Sequence, residues 1–149
     1  MLIPLPIACA VIALVSDIVA ISGGGAGWYF MGYVLTIGMW TTGLLAAVPG
    51  LADYFFVVPS ATEAKRHATI HLLLNLSIVG LFFVSWWVKN STGGAVRIPG
   101  SSLVPSLILE LIGVGLLVAS GWYGWTLVYK HRMGVDEQLR EGERPRRAA

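Results

Sequence analysis

Four long apolar segments constrain the fold of this chain more than any other feature of its sequence. They lie at about residues 3–22, 28–50, 67–88 and 103–129. A helix of about 20 residues crosses a hydrocarbon layer of about 30 Å. Backbone groups in that layer must bond to one another within helices or closed barrels, and the alternating pattern of barrel strands is absent. The sequence therefore predicts an all-α, integral membrane four-helix bundle.

The composition agrees with a chain that mostly avoids water. Charged residues make up 12% of the sequence, whereas soluble domains carry about 25%. The formal net charge of +2 is too small to indicate a nucleic-acid partner. A single cysteine, Cys9, excludes an internal disulfide and a multi-cysteine metal site. The lipid bilayer is the expected surrounding.

The basic residues are distributed unevenly between the two sides that four spans would create. With an even number of spans, both termini and the middle loop share one side, and Lys and Arg favour the cytoplasm. The other side carries Lys89 and Arg97. The side of the termini carries the remaining eight, Lys65, Arg66, Lys130, Arg132, Arg140, Arg144, Arg146 and Arg147. We expect a membrane domain over residues 1–131, a polar tail over 132–149, and both termini in the cytoplasm.

Polar residues gather near the predicted cytoplasmic ends of three helices. His67, His71 and Asn75 are four residues apart and share one helix face. A structural interpretation makes this a hydrogen-bonded cluster, in which His71 bonds across the bundle to Asp53 or to a group near His131. A second hypothesis makes His71 and His131 the axial ligands of a b-type haem; the default is no cofactor. The cluster comprises Asp53, His67, His71, Asn75, Lys130 and His131.

Two carboxylates lie within apolar segments near the opposite surface. Asp17 is in the first segment and Glu110 in the fourth. Ionisable groups in membrane helices are costly and suggest a function. If the two faced each other they could share a proton, as in a proton carrier. The alternative is that each reaches water, Tyr29, Tyr33 or a partner subunit.

The fourth segment carries small residues at a spacing that suits helix packing. Gly115 with Ala119, and Ser120 with Gly124, are pairs four residues apart. Such pairs allow a second helix to approach closely. The sequence has no catalytic triad pattern and no phosphate-binding loop in a suitable context, so we expect no enzymatic activity.

Three blocks of the sequence carry a family resemblance. "GLLAAVPGLADYFFV", "AKRHATIHLLLNL" and "SGWYGWTLVYKHRMGV" resemble successive blocks of the DUF2231 family, bacterial membrane proteins of unknown function. The resemblance implies a four-helix membrane fold, and relatives fused to Rieske iron–sulfur domains imply a redox setting. It places Asp17, Asp53, His71 and His131 at family-like positions. Pro4 stands where family members often have a histidine, which weakens a haem or metal proposal.

These observations favour a non-catalytic protein of the bacterial inner membrane. We expect an accessory or structural subunit of an energy-transducing or redox complex, which packs against other membrane subunits or against itself. A haem-binding electron-transfer protein and a small proton-coupled carrier are the alternatives.

Overall fold

The computed structural model describes residues 3–96, 103–131 and 133 of the 149-residue chain. Each helix is long and apolar enough to cross a membrane. The expected all-α four-helix membrane fold is confirmed. The predicted polar tail lies outside the described residues, apart from Met133. The helices are α1 (Pro4–Val19), α2 (Ala26–Phe56), α3 (Glu63–Ser91) and α4 (Val104–Tyr129).

Helix boundaries follow from local sequence chemistry. Prolines lie in the first turns of α1 and α4, where no intrahelical N–H bond is lost. The Thr62 side chain caps α3 by accepting a hydrogen bond from the backbone N–H of Lys65 at 3.2 Å. A wide helical turn, Ala20–Gly24, follows α1, and Gly23 and Gly25 have φ of 101° and 83°. Glycine permits this left-handed backbone, so the chain reverses into α2.

The second helix is longer than the predicted span. It continues through Pro49 to Phe56, so Asp53 lies on the same helix as the preceding apolar segment. The 31 residues of α2 measure about 46 Å at 1.5 Å per residue, more than the ~30 Å of hydrocarbon. Part of α2 therefore extends beyond the hydrocarbon layer or tilts within it.

The four helices form an antiparallel ring. Consecutive helices pack against each other, and α4 also packs against α1. The C-termini of α1 and α3 meet the N-termini of α2 and α4 at one end, which we call the Lys89 end. The opposite end, which we call the His67 end, holds the start of α3 and the finish of α2 and α4. This ring brings residues from distant parts of the sequence to the same level.

The bundle is apolar outside and partly polar inside. Large apolar side chains are exposed along all four helices, up to 89% for Phe56. An apolar core of small α1 residues, Met39, Ile78 and Phe82 fills the middle. The buried polar and charged side chains include Asp17, Thr36, Ser85, Lys89, Ser106 and Glu110. This inverts the pattern of a soluble protein and suits a lipid environment.

Buried positions alternate at three- and four-residue spacings. On α3 they include Ile78, Phe82, Ser85 and Lys89. This is the a/d repeat of helices that pack at small crossing angles. Because lipid-facing residues are also apolar, the repeat appears in side-chain size and polarity more than in hydrophobicity.

Candidate functional site

A buried lysine occupies the centre of the Lys89 end. Lys89 lies two residues before the end of α3, and only 1% of its surface is exposed. Its Nζ atom is 2.7 Å from Asp17 Oδ2, 2.7 Å from Glu110 Oε1 and 2.8 Å from Thr36 Oγ1. One ammonium group therefore joins side chains of the three other helices.

Several donors converge on one carboxylate oxygen of Glu110. Its Oε1 atom accepts from Lys89 and also from Ser85 Oγ at 2.8 Å. The Thr36 hydroxyl lies 2.9 Å from the same oxygen and 2.7 Å from the Gly32 carbonyl oxygen, so its proton is directed to one of the two. Every helix contributes to this set, which we call the Lys89 network: Asp17, Thr36, Ser85, Lys89 and Glu110.

The Lys89 network leaves three carboxylate oxygens without a hydrogen-bond donor among the described residues. They are both oxygens of Asp17 and Oε2 of Glu110. Asp17 Oδ2 is nevertheless balanced by the Lys89 ammonium group, which lies 2.7 Å away. Two carboxyl groups thus share one ammonium where neither is exposed. Buried charges with incomplete hydrogen bonding are costly, and such a site requires a structural or functional reason.

A glycine on α2, Gly32, leaves space for the Asp17 side chain. A Cβ atom on Gly32 would overlap Asp17 Oδ1. The absence of a side chain lets the carboxyl group approach the α2 backbone closely. Gly113 acts similarly between α3 and α4, where an added Cβ would lie 2.7 Å from Phe82 Cε2. These close approaches support the tight packing around the charges.

Two tyrosines of α2 bond at the same level to the end of α3 and to the turn that follows it. Tyr29 donates to the Gly94 carbonyl oxygen at 2.7 Å, and Tyr33 donates to Asn90 Oδ1 at 3.2 Å. The sequence suggests both tyrosines as alternative partners for Asp17 and Glu110. The structure instead pairs the carboxylates through Lys89, a residue that the sequence interpretation assigned to the outer loop.

The position of Lys89 also changes the charge distribution used for orientation. Its ammonium lies inside the bundle and is paired with two carboxylates, so it is not a free flanking charge. Of the two basic residues that the sequence places opposite the termini, this leaves Arg97, which lies outside the described residues.

The His67 end carries a second, more open group. His67 Nδ1 lies 3.1 Å from His131 Nε2, and the Tyr123 ring centroid is 5.7 Å from that of His67. One turn before His67, Glu63 pairs with Lys130 at 2.9 Å. Both histidines are half-buried and Glu63 is exposed. Three members of the predicted cluster therefore meet here: His67, Lys130 and His131.

His71 does bond across the bundle, but to a different partner from those expected. Its Nδ1 atom lies 2.9 Å from the Ser120 carbonyl oxygen and 3.1 Å from Ser120 Oγ. Its Nε2 atom lies 3.2 Å from Asn75 Nδ2. These contacts fit a neutral ring that donates from Nδ1 and accepts at Nε2. Asp53 is exposed, and its carboxylate makes no hydrogen bond to another described residue.

The haem hypothesis gains no support from this arrangement. Both ring nitrogens of His71 face protein partners, whereas an axial ligand needs one nitrogen free for iron. His131 is paired with His67. His67 lies on the same helix as His71. The structure thus separates the two histidines that the sequence interpretation joined.

The predicted packing residues of α4 divide between two surfaces. Ser120 is buried, and a Cβ on Gly124 would lie 3.0 Å from His71 Cε1, so this pair faces α3. Gly115 is exposed with open space above it, and Ala119 is half-buried. The pair of Gly115 and Ala119 thus faces the exterior of the bundle. Gly113 is not among the predicted packing residues. A Cβ atom there would lie 2.7 Å from Phe82 Cε2, which is closer than the contact at Gly124.

The fold and its buried charges define a class: a small multi-pass membrane protein with an ionic network inside a four-helix bundle. The family model DUF2231, described as a predicted membrane protein, matches residues 1–137. The chain therefore belongs to the DUF2231 family. No curated protein and no solved structure matches it.

Proposed function

We propose that this protein is a non-catalytic subunit of a bacterial energy-transducing or redox membrane complex, in which it provides a stable helical surface for neighbouring subunits. The observation that carries the proposal is the closure of the Lys89 network. Asp17 and Glu110 have no exposed surface, and Lys89 has almost none. The charged groups contact one another, so they suit helix assembly better than ligand capture.

The outer surface supports the same function. Gly115 and Ala119 leave a shallow strip on α4 that could accept another helix. Nearby, Trp122 and Trp125 have ring centroids 5.7 Å apart, and Trp125 stacks on Tyr129 at 5.4 Å. All three aromatic side chains are more than half exposed. Such a surface suits protein contacts and anchoring at the membrane interface.

The proposal includes an orientation. The His67 end faces the cytoplasm, because the basic residues at the start of α3 and in the C-terminal end of the chain lie on that side. Both termini are then cytoplasmic and the membrane is the bacterial inner membrane. Reporter fusions at residue 95 and at the C-terminus test this: opposite signals are expected, and a cytoplasmic signal from both would contradict it.

The experiment for the main proposal is purification from the native membrane in mild detergent, followed by mass spectrometry. We expect redox or energy-transducing subunits in stoichiometric amounts. Gly115→Leu should release the partner while the purified protein melts like the parent, because the new side chain points away from the bundle. Val118→Leu, at an exposed neighbouring position, is the matched control and should retain the partner. A protein that purifies alone after gentle crosslinking would contradict the proposal.

A second candidate function is proton-coupled transport, favoured by the three carboxylate oxygens that lack donors. Two carboxyl groups beside one ammonium could exchange a proton if the bundle opened. Reconstituted vesicles with an internal pH dye would show this as proton flux in the parent and its loss in Asp17→Asn. Flux equal to that of empty vesicles would exclude this candidate.

A further inference from the structure

We propose that Glu63, His67 and His131 form a binding site for a divalent transition-metal ion, and that the ligand set suits Zn²⁺. The site lies at the His67 end, remote from the Lys89 network. It goes beyond the proposed subunit function and does not depend on it.

The distance between the two imidazoles is the first argument. His67 Nδ1 and His131 Nε2 are 3.1 Å apart. Two nitrogens bound to one zinc ion at about 2.0–2.1 Å lie roughly 3.0–3.4 Å from each other. The ligand atoms of Glu63 and the two histidines all lie within 4.8 Å of one another. The two ring nitrogens are therefore already spaced for a common ion, and the Glu63 carboxylate lies close to both.

The helices hold two of the ligands in place. Glu63 and His67 are one turn apart on the same face of α3, and His131 follows the end of α4. The Tyr123 ring lies beside His67 and limits its movement. Because Glu63 is exposed, its side chain has room to turn toward the imidazoles once it leaves Lys130.

Lys130 pairs with the carboxylate group that a metal ion would also bind. Its Nζ atom pairs with Glu63 Oε1 at 2.9 Å, one residue before His131 in the chain. A metal ion bound by the histidines would compete with this ammonium for the same carboxylate. Removal of Lys130 should therefore strengthen metal binding, a direction that loss of folding would not produce.

The ligand types select the class of metal. Two imidazoles and one carboxylate match open zinc sites, in which the remaining position is taken by water. Copper(II) would bind the same ligands more tightly in a direct comparison, in line with the usual order of affinities. Mg²⁺ prefers oxygen ligands and is the negative control.

The test is calorimetric titration of the full-length protein in detergent with zinc chloride. We expect one ion per chain. His67→Ala and His131→Ala should each weaken binding at least tenfold, and Glu63→Gln by a smaller factor. Lys130→Met should tighten binding severalfold. Asp53→Asn removes an exposed carboxylate at the same end of the bundle and should leave affinity unchanged.

Thermal melting of each variant shows that it remains folded before titration. Zinc affinity that is the same in the parent, His67→Ala and His131→Ala would overturn the proposal. So would equal weakening by Asp53→Asn, which would indicate non-specific surface binding, or an affinity in Lys130→Met no higher than that of the parent. Cobalt(II) provides an independent readout: visible absorption bands of a nitrogen- and oxygen-ligated site should appear in the parent and disappear in His131→Ala.

Discussion

The two ends of the bundle place similar ion pairs in opposite surroundings. At the Lys89 end, Lys89 lies 2.7 Å from Asp17 and from Glu110, and all three side chains have 0% exposure. At the His67 end, Lys130 lies 2.9 Å from Glu63, but their side chains are 56% and 60% exposed. The distances are nearly equal, so the difference between the ends is burial.

Burial decides what each ion pair does for the protein. An exposed pair exchanges contacts with water for a contact with its partner and contributes little. A buried pair has lost its water, and removal of one member leaves a charge without compensation. The Lys89 network should therefore control assembly of the bundle, whereas the His67 end is free to bind or release ligands.

The largest expected effect is that of Lys89→Met. It leaves Asp17 and Glu110 facing each other without a cation, and we expect a loss of about 3–5 kcal/mol in the free energy of unfolding. Tryptophan fluorescence during thermal unfolding in detergent micelles would measure it. A melting temperature within error of the parent would show that the buried charges are not needed for the fold.

A smaller effect is expected from Gly32→Ala. The added methyl group would displace the Asp17 carboxyl from α2, and we expect a loss of about 1–3 kcal/mol from overpacking. Gly80→Ala is the matched control, because an added Cβ there meets open space. The control should melt like the parent or slightly higher; equal destabilisation of both would point to helix flexibility and not to the carboxyl contact.

At the His67 end, Gly124→Leu should also destabilise the bundle. Its Cβ would lie 3.0 Å from His71 Cε1, and the rest of the side chain would push α4 away from α3, at a cost of about 1–3 kcal/mol. Gly121→Leu is the control on the same helix, since its Cβ meets open space. The comparison is made on the same fluorescence melts, and equal stability of the two variants would contradict the observed α3–α4 contact.

The smallest effect is expected from Lys130→Met. The variant removes an exposed partner of Glu63, so the melting temperature should change little. The contrast with Lys89→Met, an identical substitution, isolates burial as the cause. A similar loss in both would show that the two ends are not energetically different.

The fold followed from the sequence because four apolar segments of sufficient length leave few alternatives in a membrane. The proximity of Asp17 and Glu110 could also be predicted from the sequence, since both lie near the same end of the bundle. The link between them is harder to predict, because Lys89 stands directly before "NSTGG", a sequence typical of a loop. The available signal was spacing: Lys89 lies fourteen residues, or two heptads, after Asn75, on the face that also carries His71.

The His67 end shows the limit of sequence reasoning in another way. The stripe of His67, His71 and Asn75 was visible from its four-residue spacing. The partner of each residue depended on how α4 is aligned against α3, which the sequence does not specify. His67 and His71 are one turn apart on α3, yet His67 bonds to His131 and His71 bonds to Ser120.

The central claim is that the Lys89 network stabilises the bundle through mutual compensation of its charges. The most direct measurement compares thermal unfolding of Lys89→Met with that of the triple variant Asp17→Asn, Lys89→Met, Glu110→Gln. The neutral triple variant keeps the shapes of the side chains but leaves no buried charge, and neutral replacement of a buried ionic group is often tolerated. We predict that it recovers most of the stability lost in Lys89→Met. A triple variant as unstable as Lys89→Met would contradict the account.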